Sequence, residues 1–144
     1  MADIVHQFPI AAAPLEIFAA LSTPEGLSAW WTLTAEGEPV ESAIWQLGFG
    51  PGYDWKAVVS RCEPQVAIEY QLTTQADADW VGTRVGFELV PKTGKTEVLF
   101  RHSGWPEENA HYRTSCFCWA MYLRLLKRYV EAGEFVAYGE RLDA

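Results

Sequence analysis

Three observations predict an α+β fold in which a long C-terminal helix packs across a curved antiparallel sheet. Residues 40–103 are runs of β-branched and aromatic side chains separated by turn signals. Residues 109–132 carry one continuous apolar stripe at helical spacing. No helical segment interrupts the strands, which excludes parallel crossovers, since those need about a dozen residues or more. Rossmann-like architectures are excluded with them.

In chain order, residues 4–10 alternate loosely through Pro9 and give way to Ala11, Ala12 and Ala13, as a first strand should. Pro14 suits a first helical turn, and Leu15, Phe18, Ala19 and Leu21 give that helix an apolar face. Thr23 and Pro24 restart the chain as an N-cap and a helix-opening proline, with Leu27, Trp30 and Trp31 on the buried side of a second short helix. Five strands are then predicted over 40–49, 55–63, 66–73, 83–91 and 96–103. Gly50-Pro51-Gly52, Glu63-Pro64, residues 76–79 and Lys92-Thr93-Gly94 separate them.

The helix over 109–132 shows Tyr112, Cys116, Trp119, Leu123, Leu126 and Val130 in steps of four and three, and Gly133 ends it. At 1.5 Å per residue it spans about 35 Å, enough to cross the sheet. Phe117, Met121 and Leu125 form a second stripe, which predicts a homodimer or a protein partner. Residues 134–144 read as a tail.

One domain over residues 1–144 is expected from the length and from a hydrophobic content of 49%. A net charge of −8 opposes nucleic-acid binding, which needs clustered Lys and Arg. No apolar run approaches the roughly 20 residues of a membrane span, and the start lacks a secretory signal pattern. Cys62, Cys116 and Cys118 do not make a disulfide framework, so reduced thiols and a cytoplasmic location are expected.

The segment APLEIFAALSTPEGLSAWW over 13–31 resembles the opening of the branch related to the activator of Hsp90 ATPase, within the START/Bet v 1-like (SRPBCC) superfamily. Arg101 to Pro106 resembles that branch's strand-to-helix corner, and Trp119, Leu123, Leu126 and Glu131-Ala132-Gly133 resemble its final helix. The likeness covers nearly the whole chain. It implies a helix-grip fold with a hydrophobic pocket between sheet and final helix, used by relatives for apolar molecules. It does not imply a reaction.

Seven Trp in 144 residues suit a broad concave surface or cavity. Candidate ligand contacts are Trp31 after the second helix, and Trp45, Trp55, Tyr70, Phe87, Phe100 and His102 on the strands. Trp105, Tyr112, Trp119 and Leu123 complete them from the corner and the final helix. His102 shares a strand face with Val98 and Phe100, so it points inward. It is either a proton-transfer or ligand-binding group, or a core histidine satisfied by backbone or Tyr112.

His6 and His111 have no carboxylate or thiol at ligand spacing, so neither metal nor cofactor is expected. Cys116 reads as a small buried hydrophobe, since no sequence neighbour supplies an obvious base. Asp77, Asp79, Glu107 and Glu108 read as solvated turn and helix-start residues, and Gly48 to Gly52 as a hairpin turn rather than a phosphate loop. The leading functional expectation is a non-catalytic carrier or sensor for a small apolar or aromatic molecule. The alternatives are a chaperone-type or other interaction module, and a polyketide cyclase-like enzyme built on His102.

Overall fold

A computed structural model describes residues 2–73 and 76–143. Strand β1 (Ala2–Ile10) leads into α1 (Pro14–Ser22) and α2 (Pro24–Trp30). Six strands follow: β2 (Thr34–Glu36), β3 (Ile44–Gly48), β4 (Asp54–Glu63), β5 (Ala67–Leu72), β6 (Arg84–Lys92) and β7 (Lys95–Trp105). Helix α3 (Ala110–Ala132) and a 3-10 turn (Tyr138–Asp143) complete the described chain. The strands make one curved antiparallel sheet in the order β1-β7-β6-β5-β4-β3-β2, so the first strand lies beside the last and the rest form a meander. This is the α+β architecture the sequence predicts.

Local chemistry sets the helix ends. The Thr23 hydroxyl accepts the Gly26 N–H at 3.0 Å and caps α2. At Gly26 a Cβ would stand 2.4 Å from the Ala19 carbonyl oxygen, so α1 and α2 meet at a crossing only glycine allows. Trp30 Nε1–H donates to the Ala20 carbonyl, and the Tyr70 hydroxyl donates to the Leu21 carbonyl at 2.6 Å, fixing α1 against β5. For α3, the Asn109 side chain accepts the Tyr112 N–H at 2.9 Å, and Gly133 takes the left-handed φ of 66° that closes the helix.

Three expectations need correction. Residues 40–43 lie outside any strand, and the added edge strand β2 is only three residues long. The stripe Phe117, Met121, Leu125 is not one exposed surface: Phe117 is 78% exposed, Met121 is half-buried and Leu125 is in the core at 3%. Helix α3 packs on α1, α2 and the 3-10 turn as well as on β1.

The supposed tail is built in, with Ala144 outside the described residues. Arg141 is 1% exposed and donates to the carbonyls of Val136, Thr32 and Ser28 at 3.0, 3.0 and 2.8 Å. Its guanidinium also lies 5.3 Å from the Tyr138 ring centroid. Burial pushes its pKa down. Among the described residues, no helix is long and apolar enough to cross a membrane.

Candidate functional site

The space beneath α3 is filled rather than hollow. Trp45, Tyr70, Phe100, His102 and Trp105 are each 0% exposed and Phe87 is 2% exposed, so six of the expected pocket residues are core. Tyr112 is half-buried and donates its hydroxyl to the Asp3 carbonyl at 2.7 Å. Leu123 lies in a groove of about 320 Å³ between α3 and β1, beside His6 and Phe8.

Trp31, Trp55 and Trp119 instead meet at a cleft of about 260 Å³, near the N-terminal half of α3. Five rings wall it in a closed circuit. Centroid separations are 5.6 Å for Trp31–Phe49, 4.8 Å for Phe49–Trp55, 5.2 Å for Trp55–Trp80, 5.8 Å for Trp80–Trp119 and 5.3 Å for Trp119–Trp31. His111, Thr114, Ser115, Cys118 and Tyr122 of α3 supply the remaining lining. The hollow is smaller than a groove of about 620 Å³ between α2 and the β2–β3–β4 edge. That groove carries Glu25, Glu36, Asp54 and Lys56 among its walls and has one aromatic ring, Trp55. An apolar ligand gains more from the aromatic cleft.

The cleft walls are held by His102, whose role the alternation of β7 only half disclosed. Trp119 Nε1–H donates to His102 Nδ1 at 3.0 Å, so in the neutral ring the proton sits on Nε2. His102 Nε2–H then donates to the Thr83 hydroxyl at 2.8 Å, and that hydroxyl donates to the Trp80 carbonyl at 2.6 Å. The relay ties two walls of the cleft, Trp119 and the Trp80 turn, to strand β7. The partners are therefore Trp119 and Thr83, not Tyr112 or backbone. A fully buried ring with both nitrogens engaged is unsuited to proton transfer with a ligand.

Burial lowers the His102 pKa from 6.5 to about 3, with the charge of His111 a smaller cause. The unfolded chain, with an ordinary histidine near 6.5, binds this proton where the folded chain does not. Stability therefore falls as pH drops below about 6.5, with a slope approaching about 1.4 kcal/mol per pH unit from this one group. Denaturant unfolding at pH 6.5 and 5, above most carboxylate titration, should show that slope in the parent. His102→Gln should flatten it.

Three groups that sequence spacing kept apart meet at the rim. His111 Nδ1–H donates to Asp79 Oδ2 at 2.9 Å, and Asp77 Oδ1 lies 3.7 Å away. Asn109 donates to the same Asp79 oxygen at 3.3 Å. The His111 bond leads the causes that pull the Asp79 pKa down. Asp77, Asp79 and His111 offer ligand atoms within 4.8 Å of one another, so the argument from spacing against carboxylate neighbours does not hold for His111. Cys116, which has no base near it in sequence, meets one in space. His6 Nε2 lies 3.9 Å from its sulfur and 3.3 Å from its carbonyl oxygen. All three cysteines are free, and burial pushes the Cys118 thiol pKa up.

Sequence reasoning missed His111, Ser115, Cys118 and Tyr122 as cleft residues because it followed the apolar stripe. Their own spacing of four, three and four was the available signal.

A family model for Activator of Hsp90 ATPase homolog 1-like protein matches residues 11–131. The solution structure of an Aha1 dimer from Colwellia psychrerythraea is 30% identical with a TM-score of 0.83, and the match covers 93% of this chain and 99% of that one. A crystal structure of MLL2253 from Mesorhizobium loti has a TM-score of 0.82 at 18% identity, over 93% of this chain and 100% of that one. DynU16, a putative protein in the dynemicin biosynthetic locus, has a TM-score of 0.80 at 17% identity, over 94% of this chain and 50% of that one. The last two show the fold alone. No curated protein matches the chain by sequence. With the model spanning most of its length and the fold shared throughout, the chain belongs to the Activator of Hsp90 ATPase homolog 1-like protein family, a fold of ligand-binding and interaction modules.

Proposed function

We propose that the protein is a non-catalytic binder, carrier or sensor, of a small aromatic molecule held in the cleft between α3, the Trp80 turn and the β3–β4 end of the sheet. The closed circuit of five rings around about 260 Å³ carries this reading. The volume suits one or two fused rings rather than a lipid chain or a polyketide. Calorimetric melting with naphthalene or indole tests it. At 100 times its dissociation constant a ligand adds about 2.7 kcal/mol of stability. Cys118→Trp, which places a large ring in the cleft, should keep the fold and abolish the shift. A cleft that gives no shift with either probe would overturn the reading.

A second reading is self-association. Phe117, 78% exposed on α3, supports it, as does the dimeric state of the Colwellia relative. Sedimentation should then give a dimer for the parent and a monomer for Phe117→Glu. A parent that sediments as a monomer at all concentrations would rule it out.

A further inference from the structure

The aromatic cleft carries polar groups that its protein surroundings leave unused. Ser115 is 6% exposed and lines the cleft, and its hydroxyl, which keeps some contact with solvent there, makes no hydrogen bond to protein among the described residues. Other serines in the first two helices behave differently. Ser22 and Ser28 return their hydroxyls to the carbonyl four residues earlier, at 2.6 and 2.7 Å. A hydroxyl that has no protein partner and faces a cavity is free to exchange its water for a ligand atom.

One helical turn earlier on the same face, His111 also lines the cleft. Its Nδ1 faces Asp79 at 2.9 Å, and a carboxylate can only accept, so the neutral ring carries its proton on Nδ1. Nε2 is then a bare acceptor with no partner among the described residues. Side chains at i and i+4 on a helix stand about 6 Å apart at Cβ, close enough for one ligand atom to touch both.

We infer that the cleft recognises a phenolic hydroxyl, which donates its proton to His111 Nε2 and accepts a hydrogen bond from the Ser115 hydroxyl while its ring lies among the tryptophans. This rests on the aromatic-cleft reading and narrows it. An anionic head group fits poorly, because Asp77 and Asp79 stand beside His111 and the chain's net charge is −8. An aromatic without a donor leaves His111 Nε2 desolvated and unpaired, which is the arrangement that gives a site its discrimination.

Isothermal calorimetry on the full chain at pH 8 tests the inference with naphthalene, 2-naphthol, 2-methoxynaphthalene and 2-naphthoate. The parent should bind 2-naphthol at least tenfold more tightly than 2-methoxynaphthalene, and 2-naphthoate more weakly than 2-naphthol. His111→Phe and Ser115→Ala should each cut the naphthol preference severalfold while naphthalene affinity changes less than threefold. If His111→Phe fails to fold, Ser115→Ala carries the comparison. Equal affinity of the parent for 2-naphthol and 2-methoxynaphthalene, or a preference unchanged in the variants, overturns the inference but leaves the aromatic cleft standing. If no probe binds, the cleft reading falls and takes this one with it.

Discussion

Replacing Trp119 with alanine is expected to lower stability by about 3 to 5 kcal/mol, the cost of emptying a large site in a packed core. The ring is 2% exposed and centred 4.6 Å from Phe100, 5.3 Å from Trp31 and 5.8 Å from Trp80. Its Nε1–H is also the donor that occupies His102 Nδ1 at 3.0 Å. The variant therefore leaves a cavity and an unpaired buried nitrogen together. Trp119→Phe should retain much of the packing and lose the hydrogen bond, so its smaller deficit separates the two contributions. Urea unfolding of both variants at pH 7 provides the numbers. A Trp119→Ala protein within 1 kcal/mol of the parent would mean the helix sits on the sheet differently.

Arg141→Ala is expected to cost about 2 to 4 kcal/mol, large for a charged residue, because the side chain is 1% exposed and bonded to three carbonyls. The guanidinium binds the carbonyls of Thr32 and Ser28, so it neutralises the C-terminal end of α2 as well as fastening the 3-10 turn. Truncation leaves those acceptors without their partner. Arg141→Lys should recover only part of the loss, because an ammonium cannot present a planar fork to three carbonyls. Thermal melting of both variants checks this, and a melting temperature unchanged in Arg141→Ala would contradict the docking of the 3-10 turn.

How much of this was legible in the sequence depended on whether the deciding chemistry was local. Gly133 marked the end of α3 because capping is settled within a turn of helix. Hairpin punctuation placed β4 to β7 within a few residues for the same reason. Strand β2 escaped because three residues carry no periodicity. The burial of Arg141 escaped because its partners, the Thr32 and Ser28 carbonyls, lie 109 and 113 residues away in the chain.

The site was harder. Tryptophan, tyrosine and phenylalanine serve equally as core filling and as pocket walls, so composition announced aromatics without saying which stay accessible. Trp45 and Trp55 look alike in the sequence, yet the first is sealed and the second borders the cleft. His102 was correctly placed facing inward by strand alternation, but its partners lie 17 and 19 residues away. The Asp79–His111 pair spans 32 residues and is made by a turn folding onto a helix start, which no spacing rule reports.

On the proposed reading, a ligand enters the aromatic cleft at the N-terminal half of α3 and does not penetrate beneath the helix. The seven indole Nε1–H resonances of the uniformly 15N-labelled protein test it most directly, in a titration with 2-naphthol. Trp31, Trp55, Trp80 and Trp119 should shift, because their rings wall the cleft. Trp30 and Trp45, sealed at 0% exposure and bonded to the Ala20 and Glu38 carbonyls, should stay where they are. Shifts confined to Trp30 and Trp45, with the cleft tryptophans unmoved, would put the ligand in the interior and contradict the account.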